Sequence, residues 1–78
     1  MNLFLAVTTK YLGPTDNKGA RIKATFGSES HTIPYHANLN PAEAHQEAAF
    51  ALLNYLKITF SELKGGEIKD GYAFIVIE

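Results

Sequence analysis

One stretch of this 78-residue chain carries a helical period, and the segments around it read as strand or turn. In "NPAEAHQEAAFALLNYL", residues 40–56, Asn40 is a capping residue and Pro41 suits the first turn. Glu43 stands where a capping-box acid belongs. At about 100° per residue, His45, Ala48, Ala49, Leu52, Tyr55 and Leu56 share one face, with Glu43, Glu47 and Asn54 opposite. The small residues on that face let the helix lie close against a sheet. One helix covers one face of a sheet, and every other segment must satisfy that limit.

Alternation and turn chemistry place the strands. "LFLAVTTKYL" is rich in β-branched and aromatic residues and predicts a first strand from about Asn2 to Leu12. "GPTDNKG" is a turn: Pro14 fixes φ, Asp16 and Asn17 bond local backbone, and Gly19 tolerates positive φ. "ARIKATF" alternates, with Ile22, Ala24 and Phe26 on one side and Arg21, Lys23 and Thr25 on the other. "GSES" turns the chain again, and "HTIPYH" reads as a third strand whose Pro34 belongs at an edge or an end. "ITFSELKGGEIKDG" reads either as a short strand or as an irregular turn, with Gly65, Gly66 and Gly71 as breakers. "YAFIVI" closes the chain as a last strand. The expected fold is one two-layer α+β domain over residues 1–78. Its sheet is antiparallel or mixed, with about four strands and one helix in the order β-β-β-α-β.

A chain of this length buries only about 60% of its unfolded surface, which leaves little stability in reserve. It has no cysteine, which excludes disulfides and thiolate metal sites and fits a reducing compartment. The apolar run in "MNLFLAVTTKYLG" has no positive segment before it and no small-residue cleavage site, and it is far too short to span a bilayer. The expectation is a soluble, cytoplasmic protein that uses no membrane.

The closing strand breaks the one-face rule. Tyr72, Phe74 and Val76 point one way, and Ala73, Ile75 and Ile77 the other. The first strand likewise places Leu3, Leu5 and Val7 opposite Phe4 and Ala6. Part of the second face therefore calls for a cover. The candidates are the 57–71 segment folded over it, or a second copy of the chain or a partner protein.

No catalytic constellation is present. His31, His36 and His45 match no zinc spacing, there is no HExxH, and no cysteine supports them, so no metal is expected. Ser28 and Ser30 stand beside His31, but "FGSESH" lacks the GxSxG elbow. Glu43 and Glu47 lie on the polar helix face, where nothing separates their pKa values for acid–base work. "KGGEIKDG" is not a GxxxxGK phosphate cradle. These absences predict a non-enzyme with no cofactor.

Four of the seven Lys and Arg residues, Lys10, Lys18, Arg21 and Lys23, fall within "KYLGPTDNKGARIKATF", where Asp16 is the single acid. Residues 1–34 carry a net +2 and residues 35–78 a net −3, within a whole-chain charge of −1. The hairpin cations can serve phosphates, with Tyr11 stacking on a base. Alternatively, Arg21 and Lys23 are the solvent side of a strand and protect a sheet edge. The weak overall field argues against a polyanion partner. Phe50 projects near Glu43, Glu47 and Asn54, where an aromatic has little reason to be unless something covers it, and this suggests a protein contact. The candidate binding residues are Lys10, Asn17, Lys18, Arg21, Lys23 and Phe50.

"TKYLGPTDNKGARIKATF", then "TIPYHANLN" leading into an alanine-rich helix with an early histidine, then "GYAFIVIE", resembles a group of small uncharacterised proteins. These are encoded by bacteriophages, plasmids and neighbouring bacterial genes, and the match is densest from Thr9 to Ala24. The resemblance implies a cytoplasmic accessory protein of a mobile element, carries no particular activity, and marks Asn17, Gly19, Arg21 and Lys23. The combined expectation is a non-enzymatic protein-interaction module that inhibits a host protein by binding, its partner being that host protein or a second copy of itself. The alternative is a small nucleic-acid-binding protein using the basic hairpin 10–23.

Overall fold

The structure, a computed structural model, describes residues 5–36 and 38–77. Its elements are β1 (Leu5–Leu12), β2 (Arg21–Phe26), β3 (Glu29–Pro34), α1 (Pro41–Tyr55), β4 (Glu62–Ile68) and β5 (Gly71–Ile77). The strands form one sheet in the order β3-β2-β1-β5-β4, and every neighbouring pair is antiparallel. The fold is α+β with one helix, as the sequence predicts, but it has five strands in the order β-β-β-α-β-β. The extra strand is β4, taken from the stretch that reads equally as strand or turn. The beginning of the expected first strand, Asn2 to Phe4, lies outside the described residues. The third strand starts earlier than expected, because Gly27 takes φ +61 and closes the turn before Glu29. Pro34 ends that strand at the sheet edge, where no ladder bond is asked of its nitrogen.

The helix begins as the sequence predicts. The Asn40 side chain accepts from the Glu43 amide at 2.9 Å, and the Glu43 carboxylate accepts from the Asn40 amide at 3.4 Å. Its end carries no glycine signal. Lys57 takes φ +59, its amide donates to the Asn54 carbonyl at 3.1 Å, and the Ile58 amide donates to the Leu53 carbonyl at 2.9 Å. This is a Schellman stop with a lysine in the left-handed position that glycine normally fills.

The helix packs chiefly on β2, β3 and β1 and less on β5, so β4 lies largely beyond it. Its buried stripe is Ala44, His45, Ala48, Ala49, Leu52 and Leu53. Relative to the predicted face the stripe is rotated: Ala44 and Leu53 join it, Leu56 is half-buried, and Tyr55 is 64% exposed. Tyr55 instead stacks on His31 of β3, with ring centroids 5.2 Å apart. Below the stripe lie Val7, Ile22, Ala24, Phe74 and Val76, the inward residues of alternating strands.

The 57–71 segment does not cover the outer face. It extends the sheet sideways as β4, because Ser61 starts the pairing, its amide and hydroxyl both donating to the Ile77 carbonyl. Gly65, read from sequence as a breaker, pairs with Phe74, and a Cβ there would collide with the Phe74 ring. The glycine is needed for packing rather than for a turn.

The left-handed cap gives a direct test. Lys57→Gly removes the Cβ penalty of that conformation and should stabilise the protein by about 1 kcal/mol, read as a rise in melting temperature of about 4–8 °C for a domain of this size. An unchanged or lower melting temperature would mean that Lys57 carries a compensating contact.

Candidate functional site

Because side chains alternate along each strand, the register decides what the uncovered outer face presents. Over β1 and β2, Thr8 stands opposite Thr25 and Lys10 opposite Lys23. Over β5, Ala73, Ile75 and Ile77 form an apolar strip, with Ala6 opposite Ile75 on one side and Lys64 opposite it on the other. Ile75 is 40% exposed, and Ile68, at the end of β4, is 44% exposed. The face is thus apolar along β5 and cationic where β1 meets β2.

Lys10, Lys23, Thr8 and Thr25 border a concavity of about 390 Å³, completed by Ile68, Lys69 and Asp70 from the β4–β5 hairpin. Two lysines directly opposite on adjacent strands repel, a cost of a few tenths to about 1 kcal/mol. Neither lysine makes an ion pair within 4.0 Å, the pair among the described residues being His36 with Glu47 at 3.8 Å, and Asp70 is the carboxylate that borders the same concavity. The sheet therefore keeps a like-charge pair on an open surface beside exposed isoleucines.

The other sequence candidates are placed differently. The Arg21 guanidinium donates to the Gly13 carbonyl at 3.4 Å and the Gly19 carbonyl at 3.3 Å, so it ties down the 13–20 loop. Asn17 and Lys18 sit exposed in that loop and do not line the Lys10–Lys23 concavity. Tyr11 sets its ring edge against Tyr35, centroids 5.5 Å apart at 84°. Phe50 is half-buried with its ring stacked on Phe60 at 5.6 Å, so the cover that its position calls for comes from the chain itself. Ser30 and His31 are adjacent on β3 and project to opposite faces. No group of three His, Cys, Asp or Glu gathers for a metal among the described residues. Sequence reasoning missed Lys69 and Ile68. Their signal was the Lys69–Asp70 pair between two runs of strand residues, a two-residue hairpin in which Asp70 takes φ +68.

A second feature lies on the inner face, at the same end of the sheet. His45 is 5% exposed and its Nδ1 is 2.7 Å from Thr9 Oγ1, while that hydroxyl donates to the Tyr72 carbonyl at 3.4 Å. Where the hydroxyl donates to Tyr72, Nδ1–H donates to Thr9 and Nε2 carries the lone pair; in the other tautomer the hydroxyl donates to Nδ1 and the proton sits on Nε2. The His45 ring packs 4.6 Å from Tyr72 and borders a cavity of about 450 Å³ with Lys10, Tyr11, Glu67 and Asp70. Burial strips water from the imidazolium and holds the His45 pKa below the ordinary 6.5.

No family model matches this chain, and no curated protein or solved structure matches it.

The buried histidine sets a pH dependence. Between its folded pKa and 6.5, the unfolded chain binds a proton that folded His45 does not, so stability increases with pH there. The contribution is complete above 6.5 and is lost as pH falls toward the folded value. The urea midpoint of the wild type should therefore drop between about pH 7.5 and about pH 5.5, and His45→Gln should lose that part of the drop. Equal pH profiles for the two proteins would show that His45 is not held neutral by burial.

Proposed function

We propose that this chain is a non-enzymatic protein-interaction module that receives a partner protein on the outer face of its sheet. The observation that carries the reading is the outward strip of Ala73, Ile75 and Ile77, with Ile75 exposed, beside the Lys10–Lys23 pair. An apolar centre with a charged margin is the layout of a protein contact. The partner it suits is apolar at the contact and fringed with carboxylates. The charge of the face favours a different protein over a second copy. Lys10, Lys23 and Lys64 face outward with Glu62, so stacking two such faces would set cations against cations. The sequence likeness to phage and plasmid accessory proteins suggests the setting: a cytoplasmic protein that inhibits a host protein by occupying its surface.

The lysine cluster also suits phosphates, which supports the nucleic-acid reading as the competitor. Apolar contact along β5 has no use in phosphate binding, and a chain of net charge −1 steers polyanions weakly.

Both halves of the face can be tested on exposed residues. Immobilised wild type should retain a protein from host lysate after nuclease treatment. Ile75→Asp should release it, and Lys23→Glu should weaken retention by about tenfold or more. Lys23→Glu should also raise stability slightly, by about 0.5 kcal/mol, because it turns a like-charge cross-strand pair into an opposite one. Tight oligonucleotide binding that weakens steeply with salt would establish the competitor instead. A dimer mass by light scattering at micromolar concentration would make a second copy the occupant.

A further inference from the structure

The outer face leaves the inner cavity beside His45 unused. Its volume of about 450 Å³ lies within the range of small-molecule sites. It opens between the first turns of α1 and the ends of β1, β4 and β5, since Pro41 and His45 line it together with Lys10, Glu67 and Gly71. At this end the helix does not reach over β4, and that is what leaves the space.

The chemistry of the walls is uneven. His45 is more than nine-tenths buried, yet its Nε2 bonds to no protein group among the described residues, and no side-chain N or O there is both sealed from solvent and unpartnered. Nε2 therefore faces the cavity that the ring borders. It is an acceptor in the tautomer whose Nδ1–H donates to Thr9, and Glu67 and Asp70 bring two carboxylates, which only accept. Lys10 also borders the cavity, but its strand position faces the outer side of the sheet, opposite Lys23. Tyr11 and Tyr72 add aromatic surface, to which a cation is attracted at a ring face.

We propose that this cavity binds a small organic cation rich in N–H donors, an alkylguanidinium or alkylammonium group. Its charge lies toward Glu67 and Asp70, its alkyl part rests against Tyr72, and one N–H donates to His45 Nε2 in the tautomer that leaves Nε2 its lone pair. The site shares Lys10, Ile68 and Asp70 with the outer concavity, but His45, Glu67 and Tyr72 belong to it and not to that concavity, and the inference does not depend on what the outer face binds.

The probe is agmatine, which carries both cationic groups, followed by titration in amide and imidazole nuclear magnetic resonance. Agmatine up to about 10 mM should shift the His45 and Tyr72 resonances with saturation, and the Nε2 signal should move more than that of Nδ1, which stays bonded to Thr9. Glu67→Gln and Asp70→Asn alter exposed side chains, the second at a left-handed position that asparagine tolerates, so both should fold. Each should weaken binding by about tenfold or more, because a charge-assisted hydrogen bond is lost. An arginine-containing peptide run in parallel distinguishes a side-chain source of the guanidinium from a free amine. Three results would overturn the proposal. They are unmoved His45 and Tyr72 resonances, shifts that persist equally in both variants, and inorganic phosphate shifting these residues where agmatine does not.

Discussion

The close approach of α1 to β1 and β2 governs the rest of the molecule. Ala44, Ala48 and Ala49 are all buried, and with no bulk between helix and sheet the core is filled instead by Leu52, Leu53, Ile22, Val7 and Phe74. A single helix about 10 Å wide covers only about two or three strands spaced about 4.8 Å apart. It therefore ends its cover near β5, and the inner side of β4 is left to Leu63, Gly65 and Glu67. The Phe74 ring leans into the place that a side chain at Gly65 would occupy, which extends the core one strand beyond the helix. Beyond that point, where Glu67 pairs with Tyr72, the inner face opens into the His45 cavity.

How much of this the sequence displays depends on whether the cause is local. The start of the helix is legible because Asn40 and Glu43 bond each other's backbone within one turn. Its stop is not, because Lys57 holds a conformation for which the usual marker is glycine. β4 is hidden for a tertiary reason. Gly65 and Gly66 weaken strand propensity, and pairing to β5 overrides it. The Lys10–Lys23 opposition follows from register, which the 13–20 loop and its Arg21 tie set together. Arg21 and Lys23 look equivalent in an alternating strand, yet one braces a loop and the other faces outward from the sheet. The helical wheel places Phe50 on the polar side correctly but is blind to Phe60, ten residues later.

Lys10 stands where both surfaces meet. It lies at the central strand's end, borders the outer concavity and the inner cavity alike, and shares both with Ile68 and Asp70 of the β4–β5 hairpin. Its neighbour Thr9 points the other way and orients His45. Adjacent residues on one strand thus serve opposite faces, which is the ordinary consequence of a two-residue period in a sheet covered on one side.

The position of β1 between β2 and β5 also orders events in time. Leu5 pairs with Val76, so the central strand gains its second neighbour only once the chain as far as β5 is available. During synthesis the β1–β2–β3 meander and the helix come first, joined by short turns. Through that interval one side of β1 is an unpaired row of backbone donors and acceptors in the middle of what becomes the sheet. Closure waits on the long-range contact of β1 with β5, which makes this a slow-closing arrangement. A chain released short of β5 would retain most of its core residues and still expose a strand edge that recruits others.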